Sequence, residues 1–359
     1  MRAALVLVAH LSCSSACSGG VRYVAESGSD ANDGCDPSTP LATVGACVGA
    51  DRTCLVFPGT YREPSPNGTL VTAASNLTIT LAPASLWPAG TSATEATLDG
   101  TVELTGWEER SDAHGTFYRS SAPLDDGVWQ LFVDGAPLTP ARWPNADAWS
   151  DEWWDRDAGW ATQAAGTACG RSVDNGTVRP AYGEAGHQSL AATGVSFDGC
   201  NAIINNEHWH TRRYVVANHT AGTAAFDYST DHNDLCTKYG TNADGNNRYF
   251  LDGCAAAFDA PGEWASDADG HLMFRLPTTL SDLSGADVAR LNVTGKTQTF
   301  ALAFVECANL TVSGLAFLAT TLLVSDSPHA RILGNSFRCM PPWRSIPPIS
   351  RSVCWPASA

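Results

Sequence analysis

A short repeat near the C-terminus is the feature that most restricts how this chain can fold. The segment Asn309–Phe317 aligns with His329–Phe337 at an offset of 20 residues, so that Val312 matches Ile332 and a glycine precedes the next apolar run in both. Short apolar strands that recur at this period, with glycine and asparagine at the bends, are typical of a parallel β-solenoid. Each coil would then stack on the next at the ordinary strand spacing of about 4.8 Å.

The rest of the chain supports an all-β interpretation. Charged residues are only 16% of the 359, while glycine and proline are frequent (32 and 20), which favours short strands and many loops. Before residue 107 no 3.6-residue period is sustained, and apolar and polar residues alternate as in strands. We expect one short helix within Leu41–Val48 and a turn at Pro58–Tyr61. The strands expected in this part are Val21–Ala25, Thr53–Phe57, Leu70–Leu81, Ala96–Leu98 and Val102–Thr105.

The segment from Trp107 to Pro277 differs because it contains most of the 12 tryptophans and the long loops. Asp134-Gly135 and Asp269-Gly270 are hairpin signals between strand-like runs. The pattern therefore predicts an antiparallel insertion or subdomain.

The N-terminus predicts export. Met1 and Arg2 precede an apolar run that is too short to span a membrane, followed by small residues, which is the layout of a secretory signal peptide with cleavage within Ala16–Gly20. Removal of Cys13 and Cys17 with the signal would leave ten cysteines, an even number that suits disulfides in an oxidising compartment. Cys169 with Cys200 and Cys236 with Cys254 are plausible local pairs, although spacing does not fix the connectivity. Six N-glycosylation sequons begin at Asn67, Asn76, Asn175, Asn218, Asn292 and Asn309.

The formal net charge of −16 argues against a nucleic-acid partner and against adsorption to an anionic membrane. No later segment is long and apolar enough to anchor the chain. We expect a secreted, extracellular monomer. Nucleotide-binding and serine-hydrolase motifs are missing from the sequence, which argues against both of those functions. No cofactor is expected, and calcium is the one alternative, without a complete motif to support it.

Several segments resemble secreted right-handed parallel β-helix proteins of the pectate-lyase-like superfold. Tyr23–Gly34, Pro40–Val44 and Phe57–Tyr61 resemble the N-terminal cap and first coil of that fold. Further segments resemble the large glycosidase-like members: Leu131–Gly135, Ala141–Asn145, Arg248–Leu251, Asp259–Trp264 and Asp269–Leu272. The resemblance implies a right-handed parallel β-helix with an inserted antiparallel β subdomain. It does not choose an activity, because the superfold contains lyases, hydrolases, esterases and adhesins.

This organisation divides the chain into a signal peptide at 1–20, a cap with the first coils at 21–106, the insertion at 107–298, further coils at 299–338 and an irregular tail at 339–359. The tail contains five prolines, which cannot donate ladder hydrogen bonds and therefore oppose a further regular coil. Since members of the superfold continue for more coils, the tail is read as a natural cap or as the result of truncation.

Glu306 and Asp326 are the candidate catalytic residues because the same 20-residue offset relates them. Equivalent positions on adjacent coils place two carboxyl groups about one strand spacing apart, a separation that suits a retaining glycosidase. The resemblance adds that glycosidases of this fold use acids from neighbouring coils. The alternative interpretation is a pair of solvated bend acids.

The candidate substrate-binding residues are Trp149, Trp153, Trp154, His208, His210 and Arg212. The tryptophans lie among acids, a composition that suits sugar stacking with hydrogen bonds to hydroxyls, but a packed loop layer explains them equally. The His-x-His pair with Arg212 would bind an anionic sugar or a metal, or is simply a polar strand face. Asp267-Ala-Asp269-Gly270 begins like a calcium loop but lacks the later glutamate, so a hairpin turn is expected.

Together these features predict a carbohydrate-active protein that acts on an extracellular polysaccharide, with a hydrolase favoured over a lyase. The alternatives are a non-catalytic glycan-binding or adhesive module and an inactive fragment of a longer enzyme. A shared cleft between the acid pair and the tryptophans would favour the enzyme.

Overall fold

The computed structural model describes residues 17–64, 68–124, 127–146, 159–178, 189–206, 210–229, 247–283, 288 and 290–338. Within these ranges the protein is all-β with almost no helix: α1 (Val44–Cys47) is a single turn. The 3₁₀ turns span Ser18–Gly20, Ala84–Leu86, Leu190–Thr193, Ala255–Ala257 and Thr278–Leu280. In this part of the chain, no helix has the length and apolarity needed to cross a membrane. The described residues form two compact units, one of 17–101 with 296–338 and one of 102–295.

Three parallel sheets make up the first unit. The first sheet contains β1 (Val21–Val24), β2 (Thr53–Val56), β5 (Thr78–Leu81), β24 (Thr311–Ser313) and β27 (Arg331–Leu333). The second sheet contains β3 (Gly59–Tyr61), β6 (Ala96–Asp99), β25 (Ala316–Leu318) and β28 (Ser336–Arg338). The third sheet contains β4 (Thr69–Thr72), β23 (Phe300–Val305) and β26 (Thr321–Ser325). The chain visits the sheets in this order repeatedly, and we call each passage a rung.

Strand register confirms the 20-residue offset read from the sequence. Val312 is the partner of Ile332 in the first sheet, and Phe317 is the partner of Phe337 in the second. The two phenylalanine rings stack with centroids 4.8 Å apart. Inward-facing side chains from all three sheets share one core, including Ile79, Val312, Leu98, Phe317, Val71 and Phe304. Because identical positions stack, each rung buries its apolar side chains against the same positions of the rungs beside it.

The bends that lead into the first sheet also stack. Asp51, Asn76, Asn309 and His329 each precede a strand of that sheet by two residues, and all four adopt positive φ angles of 53–60°. The Asn309 amide donates to Asn76 Oδ1 at 3.0 Å, and the Asn76 amide donates to Asp51 Oδ1 at 2.8 Å. Asparagine tolerates this left-handed conformation better than most residues. The interpretation of Asn309 as a bend residue in an asparagine ladder is therefore confirmed.

Two small sheets belong to the second unit or lie at its ends. One contains β7 (Thr101–Glu103), β10 (Leu131–Val133), β11 (Ala136–Pro137) and β22 (Val293–Lys296). The other contains β8 (Trp107–Asp112), β9 (Gly115–Ser120), β12 (Thr139–Pro140), β20 (Glu263–Ser266) and β21 (Leu272–Phe274). Both predicted hairpins form: Asp134 and Gly135 turn β10 into β11, and Asp269-Gly270 lies between β20 and β21.

A closed antiparallel barrel of six strands forms the rest of the second unit. Its strands are β14 (Ala161–Gln163), β15 (Arg171–Val178), β16 (Asn201–Asn206), β17 (His210–His219), β18 (Ala225–Tyr228) and β19 (Arg248–Asp252). Their order is β19-β14-β15-β18-β17-β16, and β16 pairs back with β19 to close the ring. A short strand, β13 (Arg142–Trp143), adds to β19. Closure removes the free sheet edges that would otherwise favour aggregation.

Three sequence-based expectations are wrong. Cys200 bonds to Cys254, which excludes the proposed pairs Cys169–Cys200 and Cys236–Cys254. The expectation that Cys17 is removed and that the other ten cysteines pair is wrong, because Cys17 bonds to Cys35 and Cys307 is a buried free thiol. The turn expected at Pro58–Tyr61 is in fact mostly a strand, because Gly59–Tyr61 forms β3. Burial of the Tyr61 side chain in the core favours the strand, and local turn propensity does not reveal that burial. The remaining described disulfides are Cys17–Cys35 and Cys47–Cys54.

Candidate functional site

The bend that leaves the third sheet brings Glu306 and Asp326 together. Val305 is the register partner of Ser325, so the acids that follow them occupy equivalent positions on adjacent rungs. Their Cα atoms are therefore about one strand spacing of 4.8 Å apart. Both side chains are exposed, and both residues have positive φ angles, 57° for Glu306 and 49° for Asp326. The predicted juxtaposition is present, and the catalytic role of the pair stays a prediction.

Hydrogen bonds between rungs fix this acidic bend. The Glu306 backbone N–H donates to the Ser325 carbonyl at 3.1 Å, and the Cys307 N–H donates to Ser327 Oγ at 3.0 Å. The Ser325 hydroxyl donates to Asp326 Oδ2 at 2.8 Å and so orients that carboxylate. In the preceding rung, the position equivalent to Glu306 is Ala73, which also has a positive φ. In this column of equivalent bend residues, Glu306 is therefore preceded by a residue whose side chain is only a methyl group.

A second polar column lies three residues further along the same bends. It is the series Asp51, Asn76, Asn309 and His329 described above, and all four side chains are exposed. His329 therefore belongs to the same rung as Asp326. The sequence repeat aligns His329 with Asn309, but sequence reasoning did not select this histidine, although that alignment already contained the signal.

The two tryptophans that flank the candidate residues Trp149, Trp153 and Trp154 pack in the core of the second unit. Trp143 and Trp160 are buried, and Trp160 meets Phe250 edge-on with ring centroids 4.7 Å apart. The Arg142 guanidinium lies over the Phe250 ring, with its Cζ 4.0 Å from the ring centroid. For these two tryptophans, packing is the correct interpretation. Trp149, Trp153 and Trp154 lie outside the described residues.

Of the predicted basic cluster, only part can be placed. His208 lies outside the described residues, and for His210 the backbone alone is described, at the start of β17 opposite Asn206. Arg212 is half-buried opposite Ile204 and shares its strand face with the buried Tyr214. Arg213 points to the other face, where its Nε donates to Asn201 Oδ1 at 2.9 Å. A binding role for Arg212 stays a prediction.

A buried charged network, which the sequence did not reveal, organises the second unit. Glu263 accepts hydrogen bonds from three backbone N–H groups, those of Arg142 (3.1 Å), Asp259 (3.0 Å) and Ala260 (2.9 Å). The fully buried Arg142 donates through Nε to the Pro144 carbonyl at 2.9 Å and through its terminal nitrogen to the Gly159 carbonyl. The bond between Arg142 and Glu263 joins segments that are 121 residues apart in the sequence.

Burial shifts the pKa of each charged group in this network. It raises the pKa of Glu263 to about 8, against the effect of the backbone donors, and that of Asp252 to about 6. It lowers the pKa of Arg142 to about 9, although Asp252 and Glu263 oppose the shift electrostatically. Glu263 and Arg142 bond to backbone groups, and Asp252 Oδ1 accepts from the Asn201 amide at 2.8 Å, so we assign these buried groups to the scaffold.

In the predicted turn at Asp267–Gly270, the Asp267 carboxylate forms hydrogen bonds and an ion pair that stabilise the turn. Asp267 Oδ1 accepts from the backbone N–H groups of Asp269 (3.0 Å) and His271 (2.9 Å). Asp267 Oδ2 pairs with the Arg119 guanidinium at 2.7 Å. Desolvation raises the pKa of Asp267, but the Arg119 guanidinium and these two backbone donors outweigh it and hold that pKa below its usual range.

One solved structure has a fold similar to that of this chain. A solved structure described as "Glycoside hydrolase" superimposes with a TM-score of 0.54 at 15% sequence identity, covering 84% of this chain and 51% of that one. This chain thus spans about half the length of that protein, and at such low identity the similarity shows the fold alone. A second structure, "The complex structure of XylC with xylose", gives 13% identity and a TM-score of 0.32, covering 86% of this chain and 36% of that one.

Comparison of the sequence with family models and with curated proteins identified no relative. The functional argument therefore depends on the side chains of the site.

Proposed function

We propose that this protein is an exported, carbohydrate-active protein with a right-handed parallel β-helix fold, and that it hydrolyses a glycosidic bond of an extracellular polysaccharide. The observation that carries the proposal is the exposure of Glu306 and Asp326 at equivalent bend positions on adjacent rungs. The fold shared with a structure described as a glycoside hydrolase supports it. Glycosidases need two carboxyl groups on either side of the bond that is cleaved.

The geometry favours a double displacement. Asp326, oriented by the Ser325 hydroxyl, attacks the anomeric carbon, while Glu306 protonates the departing glycosidic oxygen as the carbon–oxygen bond breaks. Glu306 then removes a proton from water, which attacks the same carbon and releases Asp326. A spacing of about 5 Å between carboxyl groups is typical of such retaining enzymes. We therefore expect the anomeric configuration of the product to match that of the substrate.

The test is to incubate the secreted protein with a panel of neutral and acidic polysaccharides, and to follow reducing ends and unsaturated-uronate absorbance in parallel. Reducing ends without uronate absorbance indicate hydrolysis, and absorbance indicates a lyase. Glu306→Gln and Asp326→Asn should each lower turnover by a factor of 100 or more, in line with the usual contribution of general acid–base groups of about 10²–10⁴. NMR of the first product should show retention.

Asp269→Asn is the control, because Asp269 is also an exposed bend acid but lies in a hairpin of the second unit. It should leave turnover unchanged. If both acid-pair variants keep wild-type turnover, the pair is not catalytic. If the wild type releases neither product from any polysaccharide, the hydrolase proposal is wrong for this chain.

A non-catalytic glycan-binding module is the second candidate, and one surface feature favours it. On the outer face of the first sheet, Thr53, Thr78 and Thr311 are register partners in a row, and Ser313 Oγ donates to Thr80 Oγ1 at 2.9 Å in the next row. Rows of hydroxyl groups at strand spacing suit hydrogen bonding to an extended glycan. Binding without turnover, unaffected by Glu306→Gln, would support this candidate.

The remaining substrate contacts are proposed on the sequence pattern. A soluble oligosaccharide should quench tryptophan fluorescence, and Trp149→Ala or Trp154→Ala should weaken the response. We expect Trp153, His208, His210 and Arg212 to contribute to the same sugar-binding surface. Unchanged quenching in both tryptophan variants would reject the sugar-binding role and support the interpretation of these tryptophans as part of a packed loop layer.

A further inference from the structure

Cys17 is part of the folded protein. It forms a disulfide with Cys35, and its carbonyl accepts a hydrogen bond from the Gly20 N–H at 3.0 Å. Gly20 has a φ of 70°, and a Cβ at this position would lie 2.5 Å from the Asp51 carbonyl oxygen. Only glycine allows such a close approach of the two backbones. Gly20, which is bonded to the Cys17 carbonyl, is therefore fitted against the bend at Asp51.

The loop that this disulfide closes is tied to the first strand on both sides. The Arg22 guanidinium donates to the Asp33 carbonyl at 2.8 Å, and the Tyr23 N–H donates to the Gly34 carbonyl at 2.9 Å. β1 is the edge strand of the first sheet and pairs there with β2. The disulfide loop thus covers an edge that would otherwise expose unpaired backbone groups.

We propose that the export signal is cleaved between Ala16 and Cys17, so that Cys17 is the first residue of the mature chain. The sequence allows several bonds within Ala16–Gly20, and the structure discriminates among them. Cleavage after Cys17, Ser18 or Gly19 would discard Cys17 and leave Cys35 without its partner. Cleavage before Cys17 places the small residues Ser14 and Ala16 at the two positions that signal peptidases require to be small.

The chemistry has two steps. Water adds across the Ala16–Cys17 amide, which releases residues 1–16 with a new carboxylate and gives Cys17 a free amino group. The thiols of Cys17 and Cys35 then lose two protons and two electrons to an oxidised protein disulfide of the export pathway by thiol–disulfide exchange. The inference depends on the export proposed above and not on glycosidase activity, so failure of the polysaccharide assay leaves it intact.

The test is to express the full 359-residue chain in a eukaryotic secretory host and to determine the N-terminus and intact mass of the secreted protein. We expect a chain that begins at Cys17, and a non-reduced digest that contains the Cys17–Cys35 peptide pair. A chain that begins at Met1, at Ser18 or later, or at any residue before Cys17 would overturn the proposed site.

Two cysteine variants separate this proposal from its alternatives. Cys17→Ser should add one titratable thiol, that of Cys35, in the unfolded secreted protein. Cys13→Ser is the matched control and should change neither the thiol count nor the mature mass, because Cys13 is removed with the signal. An unchanged thiol count in Cys17→Ser, or a mass change in Cys13→Ser, would show that the proposed bond is not the one cleaved.

Discussion

Replacing Glu263 with glutamine should change how the stability of the second unit depends on pH. Glu263 is buried, accepts three backbone N–H donors and has a pKa raised by burial to about 8. An unfolded glutamate titrates near its ordinary value of 4.5. Between these two pH values the folded state binds more protons than the unfolded state. Stability therefore falls as pH rises from about 4.5 to about 8.

The magnitude follows from linkage. For pKa values of about 4.5 and about 8, the contribution of this one carboxyl group falls by about 3 kcal/mol between pH 5 and pH 8. Glu263→Gln removes that dependence but replaces one acceptor oxygen by an NH₂ group. One or two buried backbone donors then lose their acceptor, at a cost of about 1–3 kcal/mol at every pH. The variant should be less stable than the wild type at pH 5, and the difference should shrink or change sign at pH 8.

Urea unfolding followed by tryptophan fluorescence measures this difference, because the buried Trp143 and Trp264 report on the second unit. Free energies of unfolding are compared at pH 5 and pH 8 for the wild type, for Glu263→Gln and for Glu103→Gln. Glu103 is exposed in β7, so its replacement should leave the pH dependence unchanged. If wild type and Glu263→Gln lose the same stability between the two pH values, within about 0.5 kcal/mol, the assignment of the raised pKa to this carboxyl is wrong.

Three further predictions concern the first unit. Asn309→Ala should lower the free energy of unfolding by about 2 kcal/mol, because the variant loses the hydrogen bond to Asn76 and places alanine at a positive φ. Asn309→Gly loses only the hydrogen bond and should cost about 1 kcal/mol, so equal losses in the two variants would contradict this reasoning. Amides of Arg331–Leu333 should exchange with deuterium faster than those of Thr311–Ser313, because β27 has exposed side chains whereas β24 lies between two partner strands. Equal protection of the two strands would mean that another segment covers β27. The Cys307 thiol should react with a thiol reagent only after unfolding, and reaction in the native state would show that it is not buried.

The parallel stack was predictable from the sequence because its order is periodic. Equivalent residues of neighbouring rungs form the same contacts, so the repeat of 20 residues determines both the strand register and the column of inward side chains. The acid pair was predictable for the same reason, since Glu306 and Asp326 obey that offset. The alternation of strands and the Asp-Gly turns similarly predicted the hairpins of the second unit.

The buried network of the second unit was not predictable, because its contacts are not periodic. Arg142 and Glu263 are 121 residues apart and meet only after the chain has formed several intervening strands. Pairing of Cys200 with Cys254 depends likewise on the pairing of β16 with β19 and not on distance along the chain. Segments Ala141–Asn145 and Asp259–Trp264 were recognised by resemblance, yet the sequence alone gave no reason why an arginine and a glutamate within them should be buried.

The backbone of the bends explains the conformation of Glu306 and Asp326 but not the choice of acids at these positions. Asn309 also has a positive φ, but asparagine accepts this conformation and its amide joins the hydrogen-bonded ladder, so folding explains the residue. Glutamate has no such preference, and the left-handed conformation costs roughly 1–2 kcal/mol for an ordinary residue. Glycine would relieve that cost at the exposed position of Glu306 without loss of core packing. Ala73 adopts the same conformation in the same column, so the bend sets the positive φ, and the contribution of the two carboxylates themselves is what Glu306→Gln and Asp326→Asn test.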